Sequence, residues 1–172
     1  MTQAGVLKFQ FSTQDGAGSA LIRYLTDSQW SHVDIVIPAD ICLRFGEPIA
    51  TRYGLLGARM AGGVQLRGPS YAKFTRTLTL GCRVPDVQAG YAFAFRQLGK
   101  PYDKGAILDF FLHRKRAFTP DEPKWFCDEL AYTAAWQAGT LLLGTENPLN
   151  LTPQEMRLSP DLTVRLGLAG SI

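Results

Sequence analysis

The sequence predicts an α+β fold built as one domain, and three observations carry that expectation. Strand-type alternation recurs at residues 6–12, 31–37 and 74–84, while helix-type spacing recurs at 17–26, 87–98 and 126–138. The 172 residues contain no internal repeat, low-complexity segment or linker, and that length suits one domain able to bury about two thirds of the unfolded chain's surface. With 46% hydrophobic and 19% charged residues, the composition excludes a disordered chain.

In the first element, Val6, Lys8, Gln10 and Ser12 alternate with Leu7, Phe9 and Phe11, the period-2 pattern of a strand with one buried face. Gln14-Asp15-Gly16 ends it, and Ala17, Leu21, Tyr24 and Leu25 then mark a short helix with Asp15 or Ser19 as candidate caps. Residues 31–37 form a second strand, with Val33, Ile35 and Ile37 on one face and His32, Asp34 and Val36 on the other. Residues 38–53 read as a connecting loop. Two short strands at 54–58 and 63–67 follow around the turn Met60-Ala61-Gly62, as a hairpin.

A further strand at 74–84 leads into a helix at 87–98, closed by Gly99 and Pro101. The apolar stretch 106–112 is followed by the basic turn His113-Arg114-Lys115-Arg116, read as a solvated helix end. The best-defined helix is 126–138, where Cys127, Leu130, Ala131, Ala134, Ala135 and Ala138 make an apolar stripe. In the tail, Thr152 reads as an N-cap, Pro153 as the first helical residue and Glu155 as the reciprocal capping-box residue.

Charge and cysteine content narrow the function. Eighteen Lys and Arg against fifteen Asp and Glu give a net charge of +3, a mild excess that does not call for a nucleic-acid partner. Three cysteines without a CxxC pair fit neither a disulfide scaffold nor a zinc module and point to a reducing compartment. The opening residues lack a secretion signal and no apolar run reaches the ~20 residues of a membrane span, so a cytoplasmic protein without a stable membrane span is expected. No Gly-rich stretch has phosphate-loop spacing and no His/Cys set has metal-ligand spacing, so neither a cofactor nor a metal is expected.

Chemistry centres on Cys127. A thiol at a helix start faces unpaired N–H groups that favour its thiolate and can hold an oxyanion. His32, on the polar side of a strand, is the candidate base for its proton. Asp128 and Glu129 stand against thiolate formation, so activation should depend on His32 more than on the helix dipole. Cys42 and Cys82 read as structural, and His113, among Arg and Lys, ranks below His32.

Three segments, Trp30-Ser31-His32-Val33-Asp34-Ile35, Gly99-Lys100-Pro101-Tyr102-Asp103 and Trp125-Phe126-Cys127-Asp128-Glu129-Leu130, together resemble the circularly permuted papain-like hydrolases. These form the YiiX-like, lecithin retinol acyltransferase-like branch of the NlpC superfamily, in which the His strand precedes the Cys helix, as here. The resemblance runs over residues 6–138, with Gly63-Val64 matching a Gly-Val pair of the family. It implies a papain-like antiparallel sheet packed against helices, Cys127 as nucleophile and His32 as base. Tyr102, Asp103 and Trp125 would lie at the substrate, with Tyr102 a hydroxyl donor to the oxyanion or substrate. The strand that usually carries a polar residue to orient the His reads Leu56-Gly57-Ala58-Arg59 instead, without carboxylate or amide. Asp34, Gln65, a water or a backbone carbonyl are the alternatives for that role. The implied activity is cleavage of an amide, cell-wall peptide or similar, through an acyl-enzyme. Acyl transfer or ester cleavage on a lipid, and an inactive binding module, are the competing readings.

Overall fold

The computed structural model describes residues 2–105, 123–144, 151–162 and 164–165. Their sheet has six strands in the order β4-β3-β2-β1-β5-β6, every neighbouring pair antiparallel. The strands are β1 (Gly5–Gln14), β2 (His32–Pro38), β3 (Tyr53–Arg59), β4 (Gly63–Arg67), β5 (Phe74–Val84) and β6 (Val164–Arg165). The helices are α1 (Ala17–Leu25), α2 (Ala39–Arg44), α3 (Val87–Arg96), α4 (Cys127–Gln137) and α5 (Pro153–Arg157). The apolar stretch 106–112 and the basic turn with His113 lie outside the described residues.

β1 and β2 occupy the centre of the sheet, so alternation alone understates their burial. Leu7, Phe9 and Phe11 are fully buried as the pattern requires, but Gln10 and Ser12 on the opposite face are buried too. In β2 the buried residues run without a break from His32 to Ile37. A strand covered on both faces cannot leave its polar residues to water, so they call for partners inside the protein; Ser12 Oγ is buried without one among the described residues.

α4 is likewise buried all round rather than along one stripe. Leu130, Ala131, Ala134 and Ala135 join the core as the spacing predicts, but Asp128, Glu129 and Thr133 are buried with them. It packs between α3 and strands β2 and β3, with Val33, Ile35, Ile37 and Leu56 in the same apolar cluster.

Two local expectations are corrected. The stretch read as a connecting loop contains α2, which starts directly after Pro38 and buries Ile41 and Cys42. α1 begins after Gly16 with no side-chain cap, so neither Asp15 nor Ser19 serves it. By contrast the tail forms the expected box: Glu155 N–H donates to Thr152 Oγ1 at 3.0 Å and Thr152 N–H to Glu155 Oε2 at 2.8 Å.

Candidate active site

Backbone pairing gathers three distant segments. Tyr102 and Trp125 form a parallel bridge, in which Asp103 N–H donates to Trp125 O at 2.9 Å and Trp125 N–H to Pro101 O at 3.1 Å. Val64 N–H donates to Lys100 O and Gly99 N–H to Val64 O, each at 2.9 Å. Gly63 sits at φ +67°, and a Cβ there would fall 2.2 Å from Lys100 O, so this close approach requires glycine. The Pro-Tyr-Asp segment is thereby fixed beside the start of α4.

Cys127 is the first residue of α4 and is 1% exposed. Glu129 accepts from Phe126 N–H at 3.3 Å, closing the helix start from one side. Burial is the largest influence on the thiol and raises its pKa, the charge of Asp128 adds to this, and hydrogen bonding from the backbone of Val33 and Asp128 opposes it. The net shift is well upward, so the helix start does not give a resting thiolate. The influence of the Val33 backbone ties the thiol to the strand on which Val33 stands between His32 and Asp34.

His32 Nε2 and Asp34 Oδ1 are 2.9 Å apart. Asp34 has 0% exposure, and Tyr71 donates its hydroxyl to the other oxygen, Oδ2, at 2.8 Å. Burial raises this carboxyl's pKa, but the charge of His32, the hydrogen bonds from His32 and Tyr71 and the charge of Arg59 together outweigh it and leave it lowered. Of the alternatives left open for orienting His32, Asp34 is the one the structure puts in contact.

The reason lies on the neighbouring strand. β2 and β3 pair Ile35 with Leu56, so the next step toward the site faces Asp34 with Gly57. A Cβ at position 57 would lie 2.1 Å from Asp34 Oδ1 and 3.4 Å from His32 Nε2. The carboxylate therefore occupies the space of the side chain that Gly57 lacks.

A cleft of about 300 Å³ opens beside this pair. His32 and Tyr102 line it together with Ser19 and Ile22 of α1, and Arg59 and Met60 at the β3–β4 turn close the other side. Tyr102 packs against Phe126 with ring centres 5.5 Å apart. Burial first, then the charges of Cys127 and Asp128, raise the pKa of its phenol far above the ordinary value, so it remains a hydrogen-bond donor.

The crystal structure of the metalloprotein YiiX from Escherichia coli O157:H7 superposes on this chain with a TM-score of 0.61, covering 92% of this chain and 94% of that one at 19% identity. The fold is YiiX-like. No family model matches the sequence, and no curated protein matches it.

Within this YiiX-like fold the remaining sequence-predicted residues separate. Asp103 is 1% exposed and takes Lys124 Nζ at 2.9 Å, so its carboxylate supports the bridge. Trp125 has no exposed surface, donates Nε1–H to Gln97 Oε1 at 3.0 Å and meets Phe93 edge-on, which makes it part of the floor beneath the site. Gln65 is exposed and accepts from Arg67 Nε at 3.0 Å, one strand farther from His32 than Gly57. Cys42 and Cys82 are buried with thiols raised by burial, Cys82 to about 11.

Sequence reasoning missed Tyr71 and Gly57 as site residues. Gly57 carried a usable signal, since a glycine inside a strand marks a close approach by another group. Tyr71 carried none, being a loop residue 37 positions after the Asp it contacts.

Proposed function

We propose that this chain is a cysteine hydrolase of the permuted papain-like type, cleaving an amide through an acyl-enzyme. The observation that carries the reading is the buried His32–Asp34 pair, at 2.9 Å, flanking Val33, whose backbone opposes the rise of the Cys127 thiol pKa. With Nε2 engaged by Asp34, Nδ1 is the ring nitrogen left to take the thiol proton. Sγ then bonds to the carbonyl carbon. The imidazolium returns its proton to the leaving nitrogen as the C–N bond breaks. Water, deprotonated by the same nitrogen, attacks the thioester carbonyl; the C–S bond breaks, the acid leaves and Cys127 regains its proton.

A raised thiol pKa makes this base necessary, because the thiol does not ionise on its own at neutral pH. Backbone N–H groups at the start of α4 and the protonated Tyr102 phenol are the donors available to the oxyanion. YiiX is described as a metalloprotein. Among the described residues here, no group of three or more His, Cys, Asp and Glu side chains is arranged to hold a metal ion, and the steps above use only the chain's own side chains.

The substrate of this reading is a peptide or lipid amide whose carbonyl enters the cleft between α1 and the β3–β4 turn. Lipid acyl transfer or ester cleavage is favoured by one observation, the exposed Leu21 and Tyr24 of α1 and Met60 at the cleft rim, 50%, 84% and 48% exposed. Among the described residues no helix is long and apolar enough to cross a membrane. Binding to lipid vesicles would separate the two substrate classes.

The decisive test is iodoacetamide labelling across pH with peptide mapping. Cys127 should be alkylated faster than Cys42 and Cys82, and His32→Ala should slow it by roughly 100-fold or more. Equal labelling of the three thiols, with no effect of His32→Ala, would leave the inactive binding module as the better description.

A further inference from the structure

We propose that Tyr71 is a positioning residue for the His32–Asp34 pair, holding the carboxylate in the space that Gly57 leaves open. The inference rests on the reading of His32 as the base for Cys127, and Tyr71 acts only through Asp34.

Asp34 has two oxygens, two partners and no exposed surface. Oδ1 is on His32 Nε2 and Oδ2 accepts from Tyr71, so loss of the phenol hydroxyl leaves a buried carboxylate oxygen without its donor. Two cations stand ready to take it. The guanidinium carbons of Arg59 and Arg67 lie 4.8 and 5.2 Å from the Tyr71 ring centre, and the charges of Asp34 and Arg67 already act on one another.

At present Arg67 is occupied elsewhere and Arg59 only in part, since its Nη1 is buried without a hydrogen-bond partner among the described residues. Arg59 donates to Gln14 Oε1 at 3.0 Å, and Arg67 donates to Gln65 Oε1 at 3.0 Å and to the carbonyls of Gly57 and Gly63 at 3.4 Å. They hold the aromatic ring by cation–π contact while its hydroxyl holds the carboxylate. A carboxylate freed from Tyr71 would be drawn toward these guanidinium groups and away from the imidazole. Gly57 completes the device: its backbone is not in the left-handed region, so only the missing side chain matters there.

The test uses the full chain with Tyr71→Phe, which keeps the ring between the arginines and removes only the hydroxyl. Two readouts report on it: exchange of the His32 Nε2 proton with water by NMR, and the pH profile of Cys127 alkylation. Tyr71→Phe should speed the exchange by at least ~10-fold and lower the plateau alkylation rate by about the same factor. In an Asp34→Ala background the same change should add nothing.

Gly57→Ala, which leaves Tyr71 and Asp34 present but displaces Oδ1, should speed the exchange as Tyr71→Phe does, and it serves if Asp34→Ala fails to fold. Unchanged exchange in Tyr71→Phe or Gly57→Ala, or an equal further loss in the Asp34→Ala background, would overturn the proposal. If Cys127 proves no more reactive than Cys42 and Cys82, the hydrolase reading falls, and the proton-exchange measurement still decides the role of Tyr71.

Discussion

Asp34 and Asp128 are both fully buried, both act by charge on the Cys127 thiol, and have opposite electrostatic fates. Asp34 gives each oxygen a donor and is held below the ordinary carboxylate range despite burial. Asp128 has one oxygen on Glu129 N–H at 2.9 Å and the other without a hydrogen-bond partner among the described residues. Burial, followed by the charge of Glu129, pushes its pKa well above the ordinary value. Burial alone therefore does not decide which way the pKa of an interior acid moves. The number and sign of its partners do.

The largest expected effect falls on the partnered side. Asp34→Asn should lower Cys127 alkylation by roughly 10- to 1000-fold, because the imidazole loses the carboxylate that holds it, and should cost roughly 2–4 kcal/mol in chemical denaturation through two weakened charge-assisted hydrogen bonds. Asp128→Asn, replacing a carboxyl whose ionised form burial disfavours with an amide of similar shape, should change stability by only about 1 kcal/mol in either direction. Equal losses in the two variants, measured by urea unfolding, would erase the contrast.

Acid titration sharpens it. A lowered native pKa makes Asp34 stabilising above its unfolded value near ~4, and that contribution is lost as pH falls through the native value. Asp128 works in the reverse direction: its native form keeps a proton that the unfolded chain releases above ~4, so stability falls as pH rises from there toward its raised native pKa. Urea midpoints measured from pH 4 to 8 should therefore decline less steeply in Asp128→Asn than in the parent. A parallel decline would show that Asp128 is ionised in the folded protein.

The smallest effect on Cys127 reactivity should come from outside both regions. Asp86 caps α3, its Oδ1 accepting from Gln88 N–H at 3.1 Å and Ala89 N–H at 3.2 Å. Asp86→Ala should cost about 1 kcal/mol and leave the ratio of Cys127 to Cys42 labelling unchanged. A change in that ratio would mean that the reactivity of Cys127 follows global stability rather than the local pair.

The sequence by itself determined most of the local elements and nominated the residues of the candidate site. Alternation of Leu7, Phe9 and Phe11, the spacing of Leu130, Ala131, Ala134 and Ala135, and the Thr152-Pro153-Glu155 cap are short-range signals, and they appear in β1, α4 and α5 as read. The six-residue α2 escaped because the Pro and Gly around it outweigh one helical turn of apolar residues. Which group meets His32 was legible only as a choice among Asp34, Gln65, a water and a backbone carbonyl. Tertiary structure decided it, since only the pairing of β2 with β3 sets the void at Gly57 opposite Asp34 and brings Tyr71 across from a distant loop. The upward shift of the Cys127 thiol was decided there too, because desolvation depends on what covers a helix start and not on which residue begins it.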